Sequence, residues 1–295
     1  MTSVVIPSTA SEGGWTRILM ARSCLRKYLL NYPDDPLPWK RYEVQETYDR
    51  YAPYLGKEVV PVQAAEAFWN PSSPSAQFGS LVHLLLAAVW SGNPEDLDLV
   101  RNHPLYEAAV STTRAVLNLG VLEGRGYHVI PESVEQSLWD PETNYCQRAD
   151  GVLRDSDGGI WIYDIKTSQR DRDRRSSGQF HAFAWLGKKN FGTAFRGIMV
   201  LEIKIDRKWQ FKSVTPIPLT GFETEPVGDF IRETLEMIEE AVAANKETGA
   251  LPHRSYSTAI CRSWGRECPH FDGCFPVQVD VNELIRSSPF ARTAK

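Results

Sequence analysis

The sequence predicts an α/β protein, with a helical N-terminal region ahead of a sheet-forming core and a cysteine-rich tail. Helical periodicity dominates from Trp15 to about Arg125, and strand-like runs dominate from Tyr127 to Thr215. One helix-like segment, "SGQFHAFAWLGKK", lies among those runs, and the order strand, strand, strand, helix, strand indicates an α/β core. At 295 residues and 42% hydrophobic content, the chain is long enough to bury such a core.

The N-terminal region contains two segments with helical patterns, separated by proline-rich connections. These segments are "FGSLVHLLLAAVW" at residues 78–90 and "PLYEAAVSTTRAVLNLG" at residues 104–120. The sequence therefore places an N-terminal helical region at residues 1–125.

The core region follows, with strands predicted at 127–139, 145–154, 159–167, 195–205 and 209–217 and helices at 177–189 and 227–249. Gly249 and Pro252 should end the last helix, because glycine accepts the left-handed conformation that closes helices and proline cannot continue one. This reasoning places the core at residues 126–250. A cysteine-rich segment at 251–295 is expected to pack on the same domain.

The N-terminus and the charge of the chain bear on its location and partners. The first 15 residues, "MTSVVIPSTASEGGW", lack the basic segment and long apolar run of a secretory signal, and no apolar run approaches the roughly 20 residues that span a bilayer. The sequence therefore predicts a soluble, cytoplasmic protein. A net charge of -4 and an isoelectric point near 5.9 do not by themselves indicate a nucleic-acid-binding protein.

The most informative stretch is "RADGVLRDSDGGIWIYDIKTSQ", which ends an apolar strand with an acid and a lysine. Asp164 and Lys166 should project from one face of that strand and Ile165 from the other, because side chains alternate along a strand. The cluster "DSDGG" predicts a hairpin turn centred on Asp157. Asp150 would then lie opposite Asp164 on the neighbouring strand, with Cβ atoms roughly 5 Å apart.

Two carboxylates held this close repel each other unless a cation lies between them, and their hard oxygen ligands suit Mg²⁺ or Mn²⁺. A lysine beside such a cation can orient water or stabilise negative charge on a phosphate. Asp150, Asp164 and Lys166 together therefore favour metal-assisted phosphodiester hydrolysis. A buried salt bridge between Asp164 and Lys166, with Asp150 in a turn, is the alternative interpretation.

The segments "ADGVLR" and "IWIYDIKTS" resemble the core motif of the PD-(D/E)XK nuclease superfamily. Asp150 matches the first acidic position of that motif, and Asp164, Ile165 and Lys166 match its D/E-x-K element. The order and spacing of the two segments fit the family pattern.

Two flanking patterns resemble motifs of the RecB-like members of that superfamily. Gly79 and His83, in "FGSLVHLL", match a G-x-x-x-H helix, and their spacing puts them on one helix face. Gln179, in "GQFHAF", matches the first position of a Q-x-x-x-Y helix. Phe183 stands where that motif has tyrosine, so the tyrosine hydroxyl is missing.

The resemblance implies a restriction-endonuclease-like fold, in which a central mixed β-sheet is flanked by helices. It also implies a Mg²⁺- or Mn²⁺-dependent DNA exonuclease that acts in recombination, repair or phage DNA processing. The implied metal-binding positions are His83, Asp150, Asp164 and Ile165. The implied catalytic residues are Asp150, Asp164, Lys166 and Gln179. Two alternatives stay open: a CRISPR-adaptation nuclease that trims DNA ends, and an inactive DNA-binding subunit with a structural metal cluster.

A basic run follows the D-x-K pattern. From Arg170 to Lys189, six basic residues stand against two acidic ones. In isolation such a run is more often a solvated surface, but its position directly after the candidate site favours contact with a DNA backbone. The predicted DNA-binding residues are Arg172, Arg174, Arg175, Lys188 and Lys189.

The five cysteines are Cys24, Cys146, Cys261, Cys268 and Cys274. In an intracellular protein, the C-terminal cluster of three suggests a metal rather than disulfides. Some RecB-like nucleases hold a 4Fe-4S cluster with one cysteine before the nuclease core and three after it. By that resemblance Cys24 and the C-terminal three would bind the cluster, and Cys146 would be left over. Reduced thiols, or a zinc site that uses His253 or His270, are alternatives.

Overall fold

A computed structural model of the chain describes residues 14–33, 36–37, 74–92, 100–135, 137–140, 142–143, 145–170, 177–252 and 270. The chain divides into two compact units, and each unit is formed by two separate segments. The first unit comprises Met1–Ile18 and Leu37–Glu236, and the second comprises Leu19–Pro36 and Met237–Lys295. The candidate catalytic residues all belong to the first unit.

The described N-terminal helices are α1 (Trp15–Ser23), α2 (Leu25–Asn31), α3 (Pro74–Ser91) and α4 (Tyr106–Leu119). Helices α3 and α4 lie where the sequence predicted them. Helix α4 ends at Gly120, which has a left-handed φ of 50° and donates its main-chain N–H to the Leu117 carbonyl. Glycine closes the helix there because it accepts positive φ without strain.

A mixed five-stranded sheet forms the centre of the first unit. Its strands are β1 (His128–Val129), β4 (Gly151–Arg154), β5 (Ile160–Ser168), β6 (Phe195–Ile205) and β7 (Phe211–Leu219), in that spatial order. Strands β5 and β6 are parallel and the other pairs are antiparallel. Helix α5 (Gly178–Phe191) connects the parallel pair, as a parallel pair requires. Strands β2 (Ser137–Asp140) and β3 (Tyr145–Arg148) form a separate antiparallel pair.

Helices cover the sheet on both faces. On one face, apolar side chains of α3, such as Phe78 and Leu81, share a buried cluster with Ile165 and Leu201 of the sheet. On the other face, α5 contacts β5 and β6 and buries side chains such as Phe180 and Leu186. The protein is therefore a mixed α/β structure with a central sheet flanked by helices, as the sequence predicted.

Two of the predicted strands are interrupted, and both interruptions contribute to the candidate site. The run predicted as one strand at 127–139 is broken by the 3₁₀ turn Pro131–Ser133 and by Glu135, whose φ is 58°. Pro131 favours this break because it has no main-chain N–H for a strand ladder. The run predicted at 145–154 is broken at Ala149 and Asp150, because β3 pairs with β2 whereas β4 pairs with β5.

The last described helix, α6 (Glu225–Thr248), ends at Gly249 as predicted. Gly249 has a φ of 69° and donates its main-chain N–H to the Asn245 carbonyl at 2.8 Å. Across the described part of the chain, no helix combines the length and the apolar character needed to cross a membrane.

We expect Leu201→Ala to lower the free energy of unfolding by about 2–5 kcal/mol, because it leaves a cavity in the cluster between α3 and the sheet. Leu201 is fully buried in β6. Leu119→Ala is the matched control, since Leu119 is 56% exposed, and it should change the free energy by less than about 0.5 kcal/mol. Urea denaturation followed by circular dichroism measures both changes. Equal effects of the two substitutions would contradict the burial of Leu201 between α3 and the sheet.

Candidate functional site

Strand β5 brings an acid and a lysine together, as the alternation of its side chains predicts. The two Asp164 oxygens lie 2.8 and 2.7 Å from Lys166 Nζ, and Asp164 is only 3% exposed. Ile165, between them in sequence, points into the apolar cluster on the other face of the sheet. Strand β5 therefore has one apolar face and one face that carries the charged pair.

Asp150 lies at the break between β3 and β4, and its side chain joins the same end of β5. The register pairs Gly151 with Tyr163, so Asp150 and Asp164 are the next positions along the two chains, as the hairpin argument predicted. Strand β4 starts at Gly151, so it supplies no ladder partner for the Ile165 N–H. Asp150 Oδ2 accepts that N–H at 2.5 Å. The carboxylate therefore takes the place of a missing strand residue.

His83 reaches Asp150 from α3. Its Nδ1 lies 3.3 Å from Asp150 Oδ1. The helix can come this close because of Gly79, one turn earlier on the same face. A Cβ atom added at Gly79 would lie 2.8 Å from Thr167 Oγ1, near the end of β5. The spacing of Gly79 and His83 thus has a physical reason: the glycine lets α3 pack closely on β5, and the histidine then meets Asp150.

Gln179 approaches from the other side, in the first turn of α5. Its Nε2 lies 3.5 Å from Asp164 Oδ1, which is a long hydrogen bond. The next residue, Phe180, places its ring 5.9 Å from Lys166 Nζ, within reach of a cation–π interaction. Phe183, at the position where the RecB-like motif has tyrosine, is 1% exposed and packs in the core. Helices α3 and α5 therefore deliver side chains to β5 from opposite faces.

Burial and mutual charge shift the pKa values of the three central groups in different directions. Burial raises the pKa of Asp164 to about 6, and the negative charge of Asp150 adds to the effect while Lys166 opposes it. For Asp150, burial acts in the same direction but is outweighed by His83, so its pKa is lowered. Burial lowers the pKa of His83, but the charge and hydrogen bond of Asp150 outweigh it and the pKa is raised. The Asp150 carboxyl is thus held ionised, whereas the Asp164 carboxyl binds a proton more readily than an ordinary carboxyl does.

The donor set at this end of β5 fits a hard divalent cation. Two carboxylates and one imidazole converge there. Burial is the main cause of the raised pKa of Asp164, and the charge of Asp150 adds a repulsion that a cation would relieve. As arranged here, each carboxylate is engaged by a neighbour, and within the described ranges no three His, Cys, Asp or Glu side chains already form a metal-binding group. Ile165, also predicted as a metal-binding position, has its side chain in the core and contacts Asp150 through its main-chain N–H.

Two residues near Asp150, Glu135 and Tyr163, were missed by sequence reasoning. Glu135 donates its main-chain N–H to the Asp150 carbonyl at 3.0 Å, and its carboxylate lies 3.0 Å from Arg148 Nε. Tyr163 pairs with Gly151 across the β4–β5 ladder. The sequence signal for Glu135 was weak because the segment was interpreted as a continuous strand. Tyr163 was passed over because it lies on the face opposite Asp164, within an apolar run.

A second ion pair lies on the charged face of the sheet. In the parallel register, Glu202 of β6 is the partner of Lys166. Glu202 is 6% exposed, and its Oε2 lies 3.2 Å from Lys204 Nζ. Lys204 also donates to Ser168 Oγ and to the Arg170 carbonyl, at 3.1 and 2.7 Å. Lys204 therefore ties the end of β5 to β6.

The structure places the two predicted DNA-binding lysines away from Gln179. Lys188 follows Gln179 by nine positions in helix α5, which is about 14 Å along the axis. Lys188 Nζ donates to Thr224 Oγ1 at 3.0 Å, and Lys189 Nζ donates to Glu142 Oε2 at 2.6 Å. Both lysines are therefore engaged at the far end of α5. The predicted arginines Arg172, Arg174 and Arg175 lie outside the described residues.

Two of the five cysteines lie in the described part of the chain. Cys24 is buried at the N-terminal cap of α2, and its Sγ accepts the Lys27 N–H at 3.5 Å. Cys146 is half-buried in β3, where it pairs with Trp139 of β2. The other proposed ligands, Cys261, Cys268 and Cys274, fall outside the described residues, as does His253. His270 is described, and its Nε2 lies 2.9 Å from Asn31 Oδ1 of α2.

Comparisons with known proteins do not identify a family. No family model matches the chain, and no curated protein matches it. Among solved structures, the crystal structure of SSO0001 is 13% identical, and the match covers 60% of this chain and 84% of that chain with a TM-score of 0.27. A TM-score of that size supports no inference about fold or function.

We expect Asp164→Asn to change how the stability of the metal-free protein depends on pH. Because the pKa of Asp164 is raised to about 6, the folded state keeps a proton that the unfolded state has already released. The stability from this group is present below the usual carboxyl pKa and is lost as the pH rises through about 6. Between about pH 4 and pH 7 the wild-type protein should lose up to about 3 kcal/mol more than the variant.

Urea denaturation in EDTA across this pH range measures the difference. Asp157→Asn is the matched control, because Asp157 is exposed in the β4–β5 turn and should leave the wild-type profile unchanged. Parallel profiles for the wild-type protein and Asp164→Asn would contradict the raised pKa.

Proposed function

We propose that this chain is a divalent-cation-dependent deoxyribonuclease of the PD-(D/E)XK superfamily, with a restriction-endonuclease-like core, that hydrolyses DNA from its ends. The observation that carries the proposal is the convergence of Asp150, Asp164 and Lys166 at one end of β5. His83 and Gln179 reach the same carboxylates from two different helices. Five polar side chains from four separate parts of the sequence meet there, which a solitary salt bridge would not require.

Asp150, Asp164 and His83 are the residues that would hold Mg²⁺ or Mn²⁺, with the main chain of Ile165 beside them. The cation, when bound, would supply a Lewis acid and lower the pKa of a water molecule. Burial is the main cause of the raised pKa of Asp164, about 6, and the smaller contribution from Asp150 is a repulsion of the kind that a cation offsets.

Lys166 and Gln179 are the groups of this chain that can act on the substrate. Lys166 Nζ carries three donors and contacts the Asp164 carboxylate, so it can also donate to a phosphate oxygen or to an attacking water. A fixed positive charge there stabilises negative charge that develops on a phosphate during hydrolysis. The Gln179 amide, which makes a long hydrogen bond to Asp164, can turn to the same phosphate.

A catalytically inactive DNA-binding subunit is the second candidate, and the ion pairs favour it in one respect. Lys166 pairs with Asp164 and His83 pairs with Asp150, so the charges of the site are already matched in the absence of a cation. The same geometry would then serve only the stability of the sheet. Cleavage assays separate the two candidates, and the products also show whether the enzyme trims ends as a CRISPR-adaptation nuclease would.

We expect Asp164→Ala and Lys166→Ala each to reduce DNA cleavage by at least about 100-fold, because each removes a group that contacts the cation or the phosphate. End-labelled single- and double-stranded DNA, incubated with Mg²⁺, Mn²⁺ or EDTA, provides the measurement. Salt-dependent DNA binding should persist in both variants, since phosphate contacts elsewhere do not need the cation.

The matched controls are Asp229→Ala on α6 and Lys212→Ala on β7, which are exposed and should cleave at the wild-type rate. Substantial Mg²⁺- or Mn²⁺-dependent cleavage by Asp164→Ala would refute the assignment. DNA binding by the wild-type protein without cleavage under any of these conditions would favour the inactive subunit.

A second part of the proposal is a 4Fe-4S cluster bound by Cys24, Cys261, Cys268 and Cys274. Support comes from the second compact unit, which unites the chain around α2 with the C-terminal segment. The hydrogen bond between His270 and Asn31 joins residues that are 239 positions apart. A residue two positions after Cys268 thus reaches the helix that begins directly after Cys24, and a shared metal would reinforce that closure.

We expect anaerobically purified protein to be brown and to contain iron and acid-labile sulfide. Cys268→Ala should lose both and should aggregate readily, because metal-binding energy contributes to folding. Cys146→Ala is the control and should retain both, since Cys146 lies in the β2–β3 ladder. Colourless protein with stoichiometric zinc would replace the cluster with a zinc site, and protein with neither metal would leave only reduced thiols.

A further inference from the structure

The hydroxyl of Tyr163 is a buried polar group without a hydrogen-bond partner in the described part of the chain. Tyr163 is fully buried, and no donor or acceptor among the described residues satisfies its Oη. Buried hydroxyls are nearly always hydrogen-bonded, and an unpaired one destabilises the fold. The Tyr163 hydroxyl therefore needs a partner that the described protein atoms do not supply.

The position of Tyr163 directs this hydroxyl towards the candidate cation site. Tyr163 lies opposite Gly151, and a Cβ atom added at Gly151 would lie 2.5 Å from Tyr163 Oη. The Tyr163 side chain therefore lies across the main chain at Gly151, directly after Asp150. Any residue other than glycine would fill this space with its Cβ atom. A tyrosine hydroxyl is protonated at neutral pH, so it can donate a hydrogen bond.

Glu135 is held against the main chain of Asp150, and the charges of the two carboxylates interact. Its φ of 58° is a left-handed conformation that is unfavourable for a residue other than glycine, and such strain persists only where the surroundings hold it. Two contacts hold it here: its N–H donates to the Asp150 carbonyl at 3.0 Å, and Arg148 Nε binds its carboxylate at 3.0 Å. Its side chain is 17% exposed, so this carboxylate is largely removed from solvent.

One donor and two acceptors match the needs of a single buried water. Such a water can accept the proton of Tyr163 and donate its own two protons to Glu135 and Asp150, which gives it the usual three hydrogen bonds. A water held in this way would fix the rotation of the Asp150 carboxylate. Groups that orient metal ligands in this manner change metal affinity without touching the metal.

We propose that Tyr163 and Glu135 are positioning residues of the candidate cation site, and that they orient Asp150 through a shared buried water. The inference rests on the proposed function, because it assumes that Asp150 binds the cation. It adds two residues that act through Asp150 and that have no contact with the substrate.

Manganese binding in the absence of DNA tests this inference. Tyr163→Phe removes only the hydroxyl and keeps the buried ring, and it should weaken Mn²⁺ binding by about 10–100-fold. Glu135→Gln should weaken it by a similar factor. The double variant should lose less than the two single losses combined, because either change already disrupts the shared water. Titration calorimetry and the electron paramagnetic resonance signal of free Mn²⁺ measure the affinities.

Tyr145→Phe is the matched control. Tyr145 is also fully buried, but its hydroxyl donates to Gln147 Oε1 at 2.9 Å, and this variant should bind Mn²⁺ as the wild-type protein does. Wild-type affinity in Tyr163→Phe would overturn the inference, whether or not the variant is more stable in EDTA. Fully additive losses in the double variant would overturn the shared water.

The same titration separates failure of the inference from failure of the proposed function. If the wild-type protein binds Mn²⁺, Asp164→Ala abolishes binding and Tyr163→Phe has no effect, only the inference is wrong. If the wild-type protein binds no Mn²⁺, or Asp164→Ala binds it normally, the cation site itself is wrong and both proposals fail.

Discussion

The candidate site depends on one hydrogen bond, from the main-chain N–H of Ile165 to the carboxylate of Asp150. Strand β5 extends past the start of β4, so one of its N–H groups would be left without a partner inside the protein. Asp150 satisfies it, and this anchors a charged group beside Asp164. The break between β3 and β4 follows from the same contact, since a residue within the strand could not turn its carboxylate to a neighbouring backbone in this way.

The charges around this bond are arranged in layers from one face of the sheet to the other. Asp164 and Lys166 lie on the α5 face, Asp150 lies at the end of the strand, and His83 comes from the α3 face. Burial raises the pKa of Asp164 in spite of the opposing charge of Lys166, whereas at Asp150 the charge and hydrogen bond of His83 outweigh burial and lower the pKa, so the two values move apart. A pair of carboxyl groups with separated pKa values is what a site needs when one group must stay ionised.

Sequence patterns predicted the pairing of β4 with β5, the register of that pair and the face that carries Asp164 and Lys166. They succeeded because alternation and turn residues act locally along the chain. They failed at Pro131 and Glu135, where a turn divides a strand-like run, because β-propensity does not report which strand a segment pairs with. The buried environment of the Tyr163 hydroxyl could not be predicted either, since it depends on Gly151 across the ladder and the surrounding residues of the strand are apolar.

The β4–β5 hairpin has a consequence for the order in which the site assembles. Asp150, Asp164 and Lys166 are at most 16 positions apart and meet through a short turn, whereas His83 comes from a helix more than 60 residues earlier. Closing a short loop loses less conformational entropy than closing a long one, and it is faster. The acidic half of the site should therefore form early, before α3 docks. During that interval the two carboxylates lie close together without the imidazole. Lys166 comes from the same hairpin, and its positive charge offsets the repulsion between them.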